Sequence, residues 1–524
     1  MIQCISADTG FIKHPPFDEG MKENVQKTES FGKNCGTFVS AMLSGVAKAF
    51  PSNRPTVKIS MIRSVLQTVF FVVAVVVFSA FGQNSKETLL QDIKVKTDTR
   101  ASIPSATPPY VAKTGKTVPT SATAPVASIR TLFPALAEVP IPGYSGILIE
   151  SLDGNVVVES NSNFTFNPAS NVKIATAYAV LKMFGPEFRF QTRVYTDGTI
   201  DRGTGTLTGN VYISGKDPMF GYQHAVTIAN ELNKMGIRSV TGDLIVTDNF
   251  AMNYSGSSLV SGQTIFATMD SSKRTPAATR VWLNHLSYSG KYAQIQGVPG
   301  VTFSGAVYVQ AIPSSLNLLF THESAPMSEI LKATLCYSNN FLSERLGDML
   351  GGPYAVTRIV QLNANIQPAE FSLQTSSGLG YNRVTPTAMM QLLRALRADL
   401  ARYKMTFSDI MPVAGVDKGT LEGRFDTDFS RGSLVGKTGT LGNTDGGASS
   451  LAGEVNTRNG RLLFVIFNMR GSVARFRTFQ NFYVSLVQGQ FGGAAPMAYD
   501  AMPLETRLAR TRVVYPNGRS YGDE

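Results

Sequence analysis

Residues 167–185 read Asn167-Pro-Ala-Ser-Asn-Val-Lys-Ile-Ala-Thr-Ala-Tyr-Ala-Val-Leu-Lys-Met-Phe-Gly185. Pro168 suits the start of a helix because its missing N–H leaves no hydrogen bond unmade, and Gly185 suits the position just past the end. The residues between them are apolar on almost every side, which predicts a helix buried in the centre of a folded body. Ser170 and Lys173 are three residues apart and therefore share one face of this helix.

The segments on either side of this helix predict an α+β fold. Residues 146–159 carry two apolar runs around Asp153-Gly154, a strong hairpin signal, and residues 190–325 alternate short strand-like runs with Gly and Asp turns. The later segments divide into helices at 326–335, 341–350, 386–400 and 473–487 and strands at 434–440, 448–455 and 462–469. This order predicts an α+β body into which a β-rich domain is inserted.

Composition divides the 524 residues further. Basic residues precede the apolar run Val69–Phe78, and Ala80-Phe-Gly82 offers small residues for cleavage, which predicts a signal peptide; the run is short for a membrane anchor, the alternative. We expect a non-structural extension at 1–60, with translation starting at Met61 as our hypothesis, followed by a signal peptide or anchor at 61–82. A disordered Pro/Ser/Thr/Ala linker is expected at 83–139 and a disordered tail at 491–524. Between them we expect a catalytic domain at 140–189 and 326–490, interrupted by the β-rich insert at 190–325.

Charge and cysteine content exclude several classes of function. The net charge is +11, but no dense Lys/Arg run is interleaved with aromatic residues, so a nucleic-acid partner is not indicated; a cationic surface also suits a polyanionic cell wall. Two of the three cysteines precede the signal segment, so a disulfide framework is not expected. The four histidines follow no metal-ligand spacing, and we expect neither a metal nor a cofactor.

Three short motifs carry the chemistry: Ser170-Asn-Val-Lys173, Ser338-Asn-Asn340 and Lys437-Thr-Gly439. Each is weak alone, since Ser30-Phe-Gly-Lys33 and Lys113-Thr-Gly115 match the same patterns outside the predicted domains. The ordinary interpretation is a helix-start serine, turn residues and a surface lysine. The joint order and structural context of the three favour a catalytic site.

The motif residues fit a serine nucleophile activated by a lysine. A serine hydroxyl needs a base to take its proton, and a lysine is a base only when neutral. Lowering the pKa of Lys173 from about 10.4 to about 7 requires roughly 4–5 kcal/mol, which burial and the charge of Lys437 could supply. Ser338 is placed to relay a proton, and Asn340 to hold a substrate carbonyl or Lys173.

The third motif fits substrate binding. Lys437 and Thr438 suit a terminal carboxylate, and Gly439 lets a substrate backbone approach closely. Backbone N–H groups near Ser170 at the helix start favour a developing oxyanion.

With these motifs, the sequence resembles the low-molecular-mass class C penicillin-binding D-Ala-D-Ala carboxypeptidases, which form peptidase family S13. Pro168-Ala-Ser-Asn-Val-Lys173 is similar to the family's first motif, and the likeness is collinear over residues 140–490. It includes Ser214-Gly-Lys-Asp-Pro218, Val240-Thr-Gly-Asp-Leu244, His322-Glu-Ser-Ala-Pro-Met-Ser-Glu-Ile-Leu331, Ser377-Gly-Leu379, Ala414-Gly-Val-Asp417, Gly419-Thr-Leu421 and Gly436-Lys-Thr-Gly-Thr440. Two departures are Asn339, where Asp is usual, and Thr375-Ser-Ser-Gly in place of Asp-Gly-Ser-Gly.

The resemblance implies a transpeptidase-like body, an antiparallel sheet flanked by helices. It implies that Ser170 is acylated, that Lys173 is its base, that Lys437 and Thr438 bind the carboxylate, and that the backbone N–H groups of Ser170 and Thr440 form the oxyanion hole. The implied activity is D,D-carboxypeptidase, with D,D-endopeptidase action on cross-links left open, on peptidoglycan peptides ending in D-Ala-D-Ala, in the periplasm or cell envelope, with β-lactams as covalent inhibitors. A β-lactamase or esterase on the same scaffold and a non-catalytic wall-binding protein are the alternatives.

Overall fold

The computed structural model describes residues 129–295 and 297–516. Its strands, in chain order, are β1 Arg130–Thr131, β2 Tyr144–Ser151, β3 Val156–Ser160, β4 Gln191–Thr196, β5 Thr199–Asp201, β6 Thr206–Thr208, β7 Val211–Gly215, β8 Ser239–Val240, β9 Leu244–Val246, β10 Thr302–Phe303, β11 Val307–Val309, β12 Asn317–Glu323, β13 Phe371–Ser372, β14 Arg383–Val384, β15 Leu434–Leu441, β16 Ala448–Thr457, β17 Gly460–Met469 and β18 Arg512–Val514.

The α-helices have about the bounds that the apolar periodicity predicts wherever the sequence predicted a helix. In chain order they are α1 Pro134–Ala137, α2 Val172–Phe184, α3 Tyr222–Lys234, α4 Ser258–Met269, α5 Pro276–Tyr288, α6 Met327–Cys336, α7 Asn340–Asp348, α8 Pro353–Asn363, α9 Pro386–Arg402, α10 Val473–Gln490 and α11 Leu504–Leu508.

The body is built on an antiparallel sheet of six strands in the order β1-β3-β2-β17-β16-β15. Side chains alternate across a strand, so β17 places Phe464 and Ile466 in one apolar core and Val465 and Phe467 in another. Helices α2 and α9 lie over the second of these faces and α10 over the first. The α+β fold with an antiparallel sheet flanked by helices is therefore confirmed.

Helix α2 lies at the centre of this body, as its apolar sequence predicts. Every residue from Val172 to Leu181 is buried, including Lys173. The helix ends at Gly185, whose φ of +77° is a conformation that other residues adopt only with strain. A largely buried helix thus carries the lysine of the first motif.

The inserted region contains more helix than the sequence predicts. It has one mixed sheet of order β11-β9-β7-β4-β12-β18 and a smaller sheet of order β10-β8-β6-β5, both with parallel pairs. Helices α3, α4 and α5 accompany these sheets, and α3 and α4 supply residues to their common core. The sequence analysis did not predict these helices. Parallel strands need crossover connections, and α3 lies between β7 and β9, and α4 and α5 between β9 and β11.

Two segments expected to be disordered are structured. Residues 130–137, assigned to the linker, form β1 and α1, and Leu136 is fully buried against the body. Residues 504–514, assigned to the tail, form α11 and β18, and β18 pairs with β12 of the insert. Each segment is too short to show periodicity and is stabilised by packing on the rest of the chain, which composition does not reveal.

Residues 1–128 and 517–524 lie outside the described residues, and so do the predicted extension, the signal or anchor segment and most of the linker. Within residues 129–295 and 297–516, no helix combines the length and the hydropathy needed to cross a membrane.

Candidate active site

Ser170 lies in a single turn of 3₁₀ helix immediately before α2, so it is not in the first α-helical turn as the sequence predicted. The residue before it, Ala169, has a φ of +47°, a strained conformation for a side chain with a Cβ. Asn167 holds this turn: its Oδ1 accepts the Ala169 N–H at 3.0 Å, and its amide donates to Gly380 O at 2.8 Å and Asp445 Oδ2 at 2.7 Å. The surrounding structure thus fixes the strained turn that presents Ser170.

Lys173 is 1% exposed, and its ammonium position is set by three oxygen atoms. Nζ lies 3.1 Å from Ser170 Oγ, 2.7 Å from Asn340 Oδ1 and 2.6 Å from Ser377 O. Burial first, and then the charge of Lys437, hold the pKa of Lys173 well below its ordinary value. A neutral amine within hydrogen-bond distance of a serine hydroxyl can accept its proton.

Ser338 lies between α6 and α7 with a φ of +55° and faces a second buried lysine. Lys437 Nζ donates to Ser338 Oγ at 2.8 Å and to Thr438 O at 2.6 Å. Burial lowers the pKa of Lys437 to about 7, against a smaller opposing effect of Cys336. Neither Lys437 nor Lys173 forms an ion pair with a described carboxylate, so no acidic partner stabilises the charged form of either amine.

Strand β15 passes directly over the serine turn at Gly439. A Cβ added there would lie 2.9 Å from Ser170 N, 2.7 Å from Pro168 O and 2.1 Å from Ser450 Oγ, so only glycine fits without displacing the strand. Ser450 Oγ donates to Pro168 O at 2.6 Å, which ties the turn to the sheet. Thr440, one residue further along β15, accepts a hydrogen bond from the guanidinium of Arg477 at 2.9 Å.

The structure places the sequence-predicted residues of all three motifs together. Direct hydrogen bonds join Ser170, Lys173 and Asn340 in one group and Lys437 with Ser338 in another. The charge of Lys437 also acts on Lys173, which connects the two groups. The predicted substrate-binding residues Thr438, Gly439 and Thr440 lie on β15, with Gly439 against Ser170.

Sequence reasoning missed the residues that position the backbone carbonyl bound by Lys173. Glu344 accepts the backbone N–H groups of Ser376 at 3.1 Å and Ser377 at 2.9 Å, and so orients the Ser377 carbonyl that binds Lys173. Gly378 has a φ of +91°, and a Cβ there would lie 2.0 Å from Ala169 O. The Ser377-Gly-Leu379 motif could be recognised in the sequence, but nothing in the sequence of α7 distinguishes Glu344 from a solvent-exposed glutamate.

A third buried lysine ties residues 408–417 to α6, the helix that precedes Ser338. Lys332, on α6, forms an ion pair with Asp417 at 2.7 Å and donates to Ser408 O at 2.8 Å and Met411 O at 2.7 Å. Asp417 ends the Ala414-Gly-Val-Asp motif, which therefore has a structural role in this chain. Among residues 129–295 and 297–516, no group of three or more His, Cys, Asp or Glu side chains is placed to hold a metal ion.

With this geometry established, the chain was compared with known proteins. The model of the D-Ala-D-Ala carboxypeptidase 3 (S13) family matches residues 135–261 and 267–484. The D-alanyl-D-alanine carboxypeptidase of Actinomadura sp. (strain R39) is 24% identical in an alignment of length 421 that covers 62% of this chain and 77% of that protein. The D-alanyl-D-alanine carboxypeptidase DacB of Haemophilus influenzae is 22% identical in an alignment of length 415 that covers 62% of this chain and 84% of that protein.

Among solved structures, the predatory peptidoglycan endopeptidase Bd3459 of Bdellovibrio bacteriovorus superposes with a TM-score of 0.58 at 23% identity, covering 68% of this chain and 96% of that one. Penicillin-binding protein 4 of Haemophilus influenzae superposes with a TM-score of 0.50 at 20% identity, covering 67% and 98%. These likenesses show that the fold is shared.

Proposed function

The chain belongs to the D-Ala-D-Ala carboxypeptidase 3 (S13) family of peptidases, and from this premise we propose that peptidoglycan peptides ending in D-Ala-D-Ala acylate Ser170. The observation that carries the proposal is the hydrogen bond from Lys173 Nζ to Ser170 Oγ, made by a buried amine whose pKa is far below its ordinary value. The family supplies the reaction class, and this geometry supplies the nucleophile and its base.

In the first step Lys173 takes the proton of the Ser170 hydroxyl while Oγ attacks the carbonyl carbon of the penultimate D-Ala. The carbonyl oxygen gains the negative charge, and the backbone N–H groups of Ser170 and Thr440 stabilise it. Gly439 permits this arrangement because it lets β15 lie against the serine turn.

In the second step the C–N bond breaks, and the departing D-Ala nitrogen needs one proton. Ser338 Oγ, which accepts a hydrogen bond from Lys437 at 2.8 Å, can donate its own proton to that nitrogen and regain one from Lys437. The proton taken up by Lys173 then passes to Lys437, so that both amines return to their starting states. Water attacks the acyl carbonyl with the neutral Lys173 as base, the bond between Ser170 Oγ and the acyl carbon breaks, and Lys173 returns the proton to Ser170 Oγ. Atoms and protons balance without a metal or cofactor.

Cross-linked peptides are a second substrate class of the same site. Strand β15 is the edge strand of the body sheet, so the substrate backbone can lie beside it as an added strand. An open edge admits a leaving group larger than D-Ala, which supports D,D-endopeptidase as well as D,D-carboxypeptidase action. A β-lactam mimics the same acyl donor but retains its leaving group, so deacylation is slow and the antibiotic acts as a covalent inhibitor.

Export to the cell envelope is part of the proposal, because its substrate lies there. Basic residues followed by the apolar run Val69–Phe78 and by Ala80-Phe-Gly82 support a signal peptide or anchor at residues 61–82. The net charge of +11 suits a polyanionic wall.

The test is intact-protein mass spectrometry after brief incubation with benzylpenicillin, with Ser170→Ala as the comparison. We expect an adduct of one penicillin per chain that maps to the peptide containing Ser170 and is absent from the variant. Release of D-Ala from diacetyl-L-Lys-D-Ala-D-Ala, lost in the same variant, would extend the result to the peptide substrate.

The two alternatives predict different results. A β-lactamase or esterase would hydrolyse nitrocefin continuously and accumulate no adduct. A wall-binding protein would form no adduct, hydrolyse nothing, and bind muropeptides equally well after Ser170→Ala.

A further inference from the structure

We propose that Arg477 binds the carboxylate that lies next to the leaving nitrogen of the substrate, and so makes the enzyme specific for a free α-carboxylate on the departing residue. This inference rests on the proposed function and assigns a specificity role to a residue outside the three motifs. It starts from the contact between Arg477, on α10, and Thr440, on β15.

The first observation is the position of Arg477. Its side chain is exposed, and Nη2 donates to Thr440 Oγ1 at 2.9 Å, so the guanidinium lies over the end of the strand that lines the site. Thr438 and Thr440 are two residues apart on β15 and share one face of it. A carboxylate held by these two hydroxyl groups therefore lies within reach of Arg477.

The second observation is that the lysines of the site are poor candidates for this charge. Lys437 is buried, has a pKa of about 7, and already donates to Ser338 Oγ and Thr438 O. Lys173 has a pKa well below its ordinary value. An arginine remains charged at all working pH values, and its planar fork matches a carboxylate with two parallel hydrogen bonds.

The third observation is that the positive charge at this place has no counter-charge. Arg424 donates to Asn481 Oδ1 and Gln480 Oε1, both on α10, and its pKa is lowered to about 10 by burial and by the charge of Arg477. Among the described residues, neither arginine forms an ion pair with an acidic group, whereas Arg383 is paired with Asp445. Two adjacent unpaired guanidinium groups favour an anion between β15 and α10.

The chemistry of the leaving group matches this site. In a terminal D-Ala, the carboxylate and the nitrogen that is released are bonded to the same carbon. The same holds for the D-centre of a diamino acid that is cross-linked through its nitrogen. Arg477 would therefore act on both substrate classes and would discriminate against a leaving residue whose carboxylate is amidated.

The experiment compares Arg477→Gln with the wild type on two substrates, diacetyl-L-Lys-D-Ala-D-Ala and the same peptide with a C-terminal amide. We expect kcat/KM for the free carboxylate to fall about 10- to 100-fold, the effect of losing hydrogen bonds to a charged group, while kcat/KM for the amide changes less than twofold. Arg477→Lys should keep part of the preference, since it retains the charge but not the fork.

Arg475→Gln is the matched control, because it removes the same charge from the same helix at a position that faces another direction. It should leave both substrates unchanged. A loss that is equal for the two substrates, or no loss, in a folded Arg477→Gln protein would overturn the inference. Absence of penicillin acylation in the wild type would instead overturn the proposed function.

Discussion

The catalytic body and the inserted region both bury bases without an acidic partner, but only the body gives them hydrogen-bond partners suited to chemistry. Lys173 is bonded to a hydroxyl, an amide oxygen and a carbonyl. In the insert, His322 is 1% exposed and both of its ring nitrogens lack a partner, although His224 lies 4.9 Å away between ring centroids. Burial lowers the pKa of all three side chains.

The difference shows that a strongly shifted pKa does not by itself mark an active site. What marks it is a nucleophile within hydrogen-bond distance of the shifted base. Lys332 is also buried, but its ammonium is paired with Asp417 and ties residues 408–417 to α6, so it has a structural role. The following predictions test this distinction between the two regions.

Replacing the base of the body should have the largest effect. Lys173→Met keeps an apolar stem of similar length but cannot take the proton of Ser170, so we expect the second-order rate of acylation by benzylpenicillin to fall by about 10³-fold or more. Stopped-flow or quenched mass spectrometry measures this rate. Lys182→Met, further along the same helix and paired with Asp399 on the surface, is the control and should acylate normally. Equal rates in the two variants would contradict the role of Lys173.

The pH dependence of acylation should reveal the shifted lysines. The pKa of Lys437 is about 7, and that of Lys173 is well below its ordinary value because of burial and the charge of Lys437, so both lysines lose their protons at a lower pH than a lysine in water does. We expect the acylation rate to fall about tenfold per pH unit on the acid side, where Lys173 becomes protonated, and to fall again above about pH 7, where Lys437 loses the proton that it passes through Ser338 to the leaving nitrogen, with both titrations belonging to the coupled pair. A rate that keeps rising to pH 10 would mean that the lysines titrate as in water.

In the insert, replacing a buried base should change stability and leave catalysis intact. Burial lowers the pKa of His322 to about 3, against about 6.5 unfolded, so the unfolded chain takes up the proton first and stability is lost as the pH falls from about 6.5 towards 3. His322→Phe removes that loss and should stabilise the protein by roughly 2 kcal/mol more at pH 5 than at pH 8. Urea unfolding at both pH values measures this gain, and the acylation rate serves as the control. A gain that is the same at both pH values would show that His322 is not titrating in this range.

Much of the body could be predicted from its sequence because its signals are local. The apolar circumference of α2, the Asp153-Gly154 turn and the three closing strands each have a periodicity that burial imposes. The three motifs could be recognised because they are short, collinear and set on those elements. Helix α8 was missed, and so were the three helices of the insert, because Gly- and Asp-rich flanks resemble strand turns when read alone.

The residues that tune the site were beyond sequence reasoning because their effect depends on contacts far apart in the chain. Glu344 acts on Lys173 through the backbone of Ser377, and Arg477 reaches Thr440 across 37 positions. The ordering of residues 504–514 likewise depends on partners in the body and the insert. Arg507 and Arg510 both bind Glu329 on α6, and β18 pairs with β12.

The position of β18 has a consequence for how the molecule is completed. As the chain is synthesised, residues 512–514 emerge after the whole body, yet they form the outermost strand of the insert's larger sheet. The insert therefore exposes an unpaired edge at β12 until the last of these residues arrives. Closure of that edge joins residues that follow the body in the chain to the last strand of the insert, so the insert's larger sheet is complete only when residues 512–514 are in place.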